Sequence, residues 1–134
     1  MSSGYRFSTG LKVSAEISAP VTFTVPAGAT GSSVEPAELG GNYQAVLVKC
    51  DDCAGIAATT SMTAQVGFAG SDVVCDLYEQ DNPSTKWSKG ALPESGTLVF
   101  LLAHAAGARR VRLILSKAVT ADVVFSIIGL RRLV

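Results

Sequence analysis

Apolar and polar residues alternate along most of this chain with a period of two, the spacing of a strand that lays one face on a core. In LKVSAEI (11–17), Leu11, Val13, Ala15 and Ile17 share one face, with Lys12, Ser14 and Glu16 on the other. VTFTV (21–25) resumes after Pro20 with Val21, Phe23 and Val25 inward. YQAVLVKC (43–50) follows, and MTAQVGFAG (62–70) sets Met62, Ala64, Val66 and Phe68 to one side. VVCDLYEQ (73–80) sets Val73, Cys75 and Leu77 inward and Asp76 outward. In ARRVRLILS (108–116), Val111, Leu113 and Leu115 point in, leaving Arg110, Arg112 and Ile114 outside.

Two stretches break the alternation. TLVFLLA (97–103) and VVFSIIGL (123–130) are apolar at nearly every position. A strand of that kind is covered on both faces, either within its own fold or by another protein. In the second, Val123, Phe125 and Ile127 face one way and Val124, Ile128 and Leu130 the other.

Between the strands lie turn formers, and the longest such segment, PAGATGSSVEPAELGGN (26–42), holds two prolines and four glycines. It reads as a long polar loop with at most one short turn near 36–39. The Ala-rich pieces at 57–63 and 104–108 are too short for a sustained helical period. The expectation is one all-β domain over 1–134, a single antiparallel β-sandwich of jelly-roll type with about eight strands.

Composition narrows what such a domain does. Charged residues make up 16% of the chain, against roughly 25% in ordinary soluble proteins, and mean hydropathy is +0.35. Lys plus Arg and Asp plus Glu number 11 each, so net charge is zero, which disfavours nucleic acid as a partner. A sparsely charged, neutral surface tends to associate. No apolar run approaches the roughly 20 residues of a bilayer span. The start, MSSGYRFSTG, lacks the basic and apolar regions of a secretory signal, so synthesis is expected in the cytoplasm.

Candidate chemistry is thin. Cys50 and Cys53 form a C-x-x-C pair, and with Cys75 and His104 they could supply a zinc set, but nothing else has ligand spacing. The favoured reading is structural cysteine, with Cys75 packed inward and no metal or cofactor expected. His104 is the only histidine, and no nucleophile-elbow motif accompanies it, so no catalytic residues are expected. Asp72, Asp76, Glu79 and Asp81 read as solvated charges rather than a calcium loop. Trp87, in the turn-rich DNPSTKWSKG (81–90), could stack on a sugar face with Tyr78, Asp81 and Asn82 nearby, or could cover one end of the core.

Arg109, Arg110 and Arg112 share a strand, and Arg131 and Arg132 lie near the end of the chain. If the last two strands pair as a hairpin, these groups meet. Arg110 and Arg112 then flank an outward patch of Val124, Ile128 and Leu130, and together with Arg131 and Arg132 they form a candidate interface.

The order Trp87, TLVFLLA, ARRVRLILS and VVFSIIGL resembles the C-terminal half of galactose-binding-like jelly rolls, over roughly 86–130. That resemblance implies a jelly roll whose last strand ends near the first. The Ala, Gly, Val, Ser and Thr bias is also similar to small bacteriophage head-decoration, fibre and tail subunits. The expectation for function is a non-enzymatic structural subunit of a virion, acting by self-association and docking to other capsid or tail proteins. The alternative is a carbohydrate-binding module that uses Trp87.

Overall fold

A computed structural model describes residues 3–8, 12–68, 74–79, 81–102 and 108–132. They form eleven strands: β1 (Ser3–Ser8), β2 (Lys12–Ile17), β3 (Val21–Val25), β4 (Ala37–Tyr43), β5 (Ala45–Cys50), β6 (Met62–Gly67), β7 (Cys75–Asp76), β8 (Ser88–Lys89), β9 (Leu98–Leu102), β10 (Ala108–Leu115) and β11 (Val123–Arg132). No helix occurs among the described residues.

The strands make two antiparallel sheets. In the first, β11 lies at the centre: β5 pairs along one side, with β9 beyond it, and β2 and β3 run head to tail along the other. β1 adds an outer lane on β2. In the second, the order is β4, β10, β6, with the two-residue strands β7 and β8 sharing the far side of β6. Counting β2/β3 and β7/β8 as one lane each gives eight lanes plus β1. In chain order the lanes run 1-8-3-6 in one sheet and 2-7-4-5 in the other, which is the jelly-roll connectivity. The expected eight strands correspond to these lanes.

The core lies between the sheets and follows the alternation in the sequence. Val123, Phe125 and Ile127 of β11, Val46, Val48 and Cys50 of β5, Phe23 and Val25 of β3, Met62 and Ala64 of β6, and Val111, Leu113 and Leu115 of β10 are all buried.

Three expectations are corrected. Residues 37–43 of the supposed loop at 26–42 are a strand, β4, with Ala37, Leu39 and Tyr43 buried. Its glycines and single glutamate hide an alternation that only its three core residues carry. Phe68 lies just past the end of β6 and is exposed, as is Cys75 on the short edge strand β7, so neither joins the core. Finally, β10 and β11 do not pair, because they belong to different sheets. A jelly roll sends consecutive strands to opposite sheets here, so adjacency in sequence is not adjacency in a ladder.

The junction of β2 and β3 shows how β11 stays paired without a break. Pro20 has no N–H to give a ladder, and Ser18 fills the gap beside it. The Ser18 N–H donates to the Gly129 carbonyl at 2.9 Å, and the Gly129 N–H donates to Ser18 Oγ at 2.7 Å. Opposite this point the Tyr43 ring lies directly on Gly129, and a Cβ added there would overlap the ring carbons. Glycine is required here by close approach rather than by backbone angle. Gly129→Ala is expected to lower stability by about 1–3 kcal/mol, as overpacking does, and Tyr43→Ala in the same chain should relieve part of that loss. Denaturant titrations of the two single variants and the double variant check this; strict additivity would contradict it.

Candidate interaction surfaces

The two outer faces of the sandwich differ in kind. Residues paired across strands present their side chains to the same face. On the β11 sheet, Ile128 lies opposite Leu47, and Leu47 opposite Leu101. One row over, Leu130 lies between Ile17 and Ala45. These two apolar rows cross three strands each; Val99 extends the patch along β9, and Val124 lies further along β11 beyond the polar row Thr22–Ser126–Lys49. Val124, Val99 and Leu101 are 49%, 54% and 48% exposed, while Leu47, Ile128 and Leu130 are half-buried. Among the residues whose side chains are described, the polar members on β3, β5 and β11 are Thr22, Thr24, Ser126 and Lys49, and Lys49 is tied to Asp51 at 3.1 Å. The outward residues Val124, Ile128 and Leu130 therefore stand where the alternation places them.

The outer face of the other sheet carries a polar chain. Glu38 on β4 takes a hydrogen bond on each carboxylate oxygen, from Arg109 Nε at 2.7 Å and Arg110 Nε at 2.6 Å. Two successive residues reach one carboxylate because the register shifts between Ala108 and Arg110, a bulge that turns both side chains to one side. Arg112 donates from Nε to the Val34 carbonyl at 2.9 Å and from Nη1 to Gln65 Oε1 at 3.3 Å. Gln65 in turn donates to Asp76 Oδ1 at 3.0 Å, and Lys86 meets Asp76 Oδ2 at 3.1 Å. The Arg110 hydrogen bond, with Arg109 beside it, holds the Glu38 carboxyl below its ordinary range. Gln65 and then Lys86 do the same for Asp76. At one end of the chain a polar hollow of about 560 Å³ is lined by Glu35, Pro36, Glu38, Arg110 and Arg112.

This geometry corrects the expected interface. Arg110 and Arg112 lie on the face opposite to Val124, Ile128 and Leu130 and do not flank them, since β10 and β11 are in different sheets. The guanidinium of Arg131 sits over the Tyr43 ring at 5.9 Å, within the range of a cation–π contact. Arg132 ends β11 beside Ala15 in the register, so the two C-terminal arginines do not meet the Arg109/Arg110 end as a hairpin would require.

The residues proposed as a sugar platform do not converge. Residues 77–79 and 81–87 form a hairpin in which Trp87 N–H donates to the Leu77 carbonyl at 2.8 Å and Glu79 N–H to the Thr85 carbonyl at 2.9 Å. Leu77 is buried, and Trp87 stacks on Phe100 with ring centroids 5.7 Å apart and planes at 22°. Tyr78, bridged to Lys86, is exposed on the other side of the hairpin. Asp81 and Asn82 are at its tip, where Ser84 Oγ donates to Asn82 Oδ1 at 2.7 Å. The indole thus closes the open side of the sandwich, as a core-covering Trp would.

Cys50 and Cys53 are buried, Cys50 as the last inward residue of β5. Its thiol donates to the Asp52 carbonyl at 3.3 Å. Burial pushes the Cys50 thiol up to about 12 and raises Cys53 as well. His104 and Asp72 lie outside the described residues. Among those described, no three His, Cys, Asp or Glu side chains gather in a metal-holding group, and no helix is long and apolar enough to cross a membrane.

Fold and surfaces together define an all-β jelly-roll sandwich with one apolar and one ion-paired outer face. No protein-family profile matches the chain, and no curated protein matches it.

Two outcomes follow from these environments. Because the thiolate is the reactive form and burial disfavours it, iodoacetamide at pH 8 should label the folded chain at Cys75 alone and the unfolded chain at all three cysteines. Peptide mass spectrometry reads this, and rapid labelling of Cys50 in the folded chain would contradict it. Glu38 has a lowered pKa, so its contribution is present above the ordinary carboxylate range and fades as pH falls through the folded value. Glu38→Gln should cost about 0.5–1 kcal/mol at pH 7, with the gap to wild type closing below about pH 4. A gap that does not narrow at all between pH 6 and pH 3 would assign the loss to packing instead.

Proposed function

We propose that this protein is a non-enzymatic structural subunit that works by association, and that its working surface is the outer face of the β11 sheet. One observation carries the reading. The apolar rows Ile128–Leu47–Leu101 and Ile17–Leu130–Ala45 lie on a sheet face that no other element of the described chain covers. Isolated exposed apolar residues are normal, but a contiguous patch marks a contact. The opposite face has its charges paired with one another, which suits permanent contact with water.

The particle we infer is a virion, with the chain as a capsid-decoration, fibre or tail component assembled in the host cytoplasm. Jelly rolls are common in capsid modules, and the low, balanced charge suits a subunit packed against copies and shell proteins. Fold alone does not decide function, so the reading rests on the apolar face. Docking removes that face from water at about 25 cal/mol per Å² of apolar area.

Sedimentation velocity over a range of concentrations tests this. Wild type should self-associate, and Val124→Asp should weaken association at least tenfold while leaving the unfolding midpoint nearly unchanged, because the site is exposed. Glu38→Gln, on the opposite face, should associate as wild type does. A wild-type chain that stays monomeric at high concentration and binds no other particle protein would contradict the proposal.

A further inference from the structure

We infer that β9 is a pairing edge, which joins a second copy of this chain in antiparallel register and makes the β11 sheets of two molecules continuous. The inference rests on the self-association reading above and adds an edge contact between copies to the contact made by the apolar face. Sheets end in strands with unpaired N–H and C=O groups, and proteins blunt these edges with shortness, charge, glycine, proline or bulges. Four of the five edges here are blunted. The free side of β3, VTFTV, is bracketed by Pro20 and Pro26 and turns Thr22 and Thr24 outward. β7 and β8 are two residues each. β4 carries Glu38, Gly40 with φ of +76°, and a bulge in its pairing with β10. β1, SGYRFS, has serines at both ends and Arg6 within it.

β9 has none of these devices. Its sequence is LVFLL, without charge, glycine or proline, and its pairing with β5 is regular over all five residues. Among the described residues its backbone groups bond to β5 and to no other element. Its outward side chains, Val99 and Leu101, are about half exposed.

The occupant follows from the symmetry of the segment. A two-fold axis sets each residue against a copy of its own surroundings, so the edge must be self-complementary. LVFLL is nearly palindromic about Phe100. Antiparallel pairing centred there sets Leu98 against Leu102 and Val99 against Leu101 of the copy. Lys49, the neighbour of Val99 in register, is already neutralised by Asp51, so it brings no free charge to the axis. Five paired residues bury much less than the roughly 800 Å² per partner of a standard interface, so the pair is weak, of order 10–1000 μM.

Residue-resolved amide exchange by NMR on the full chain, at about 20 μM and about 1 mM, tests main-chain pairing directly. Alternate amides of 98–102, those pointing away from β5, should exchange about two- to sixfold more slowly at the higher concentration, the fall in monomer fraction that such a Kd implies, with sedimentation showing a dimer. Val99→Lys with Leu101→Lys should abolish that protection while the amides of β11 stay protected. A chain that associates with the 98–102 amides unchanged would overturn the edge and leave the apolar-face reading standing. A chain that is monomeric throughout would overturn both.

Discussion

β11 is the constraint on which the rest of this sandwich depends. It is paired along both sides, to β5 on one and to β3, Ser18 and β2 in succession on the other. A strand held on both edges cannot slip by one residue without moving Val123, Phe125 and Ile127 out of the core. Their burial sets the register of β11, and that register sets which residues of β5 and β3 point inward. The Tyr43 ring on Gly129 fixes the same strand against the second sheet at the point where the chain crosses from β4 to β5.

The same register decides what lies outside. Once Phe125 and Ile127 are inward, Val124, Ile128 and Leu130 must face out, and the ladder aligns Ile128 with Leu47 and Leu101. The apolar outer face is therefore a consequence of apolar residues at both phases of β11, β5 and β9. In the second sheet the outward phase is Arg110, Arg112 and Gln65, and these side chains find partners within the molecule. The domain is amphipathic across its thickness, with hydration concentrated on one side.

Much of this was legible in the residues. Period-two alternation located the core positions of β3, β5, β6 and β10, and the doubly apolar run at 123–130 identified an outer face without polar cover. What the pattern hid has physical causes. β4 is rich in glycine and carries one charge, so it reads as loop until the burial of Ala37, Leu39 and Tyr43 is seen. The bulge that sends Arg109 and Arg110 to one carboxylate breaks the alternation that any sequence reading assumes. Jelly-roll connectivity is long-range, so the arginines of β10 looked adjacent to β11 in the chain and are on the opposite face in space. Trp87 gave no signal of its own, since a loop tryptophan stacks equally well on a sugar or on Phe100.

The proposed contact surface is the apolar outer face of the β11 sheet and not the ion-paired face. Solvent paramagnetic relaxation measured on side-chain methyls, with dilute and concentrated protein compared, tests it most directly. The methyls of Val124, Ile128, Leu47 and Leu101 should lose access to the soluble probe as concentration rises, while those of Ile114 and Thr63 on the opposite face should not. Equal shielding of the two faces, or shielding of Ile114 and Thr63 alone, would contradict it.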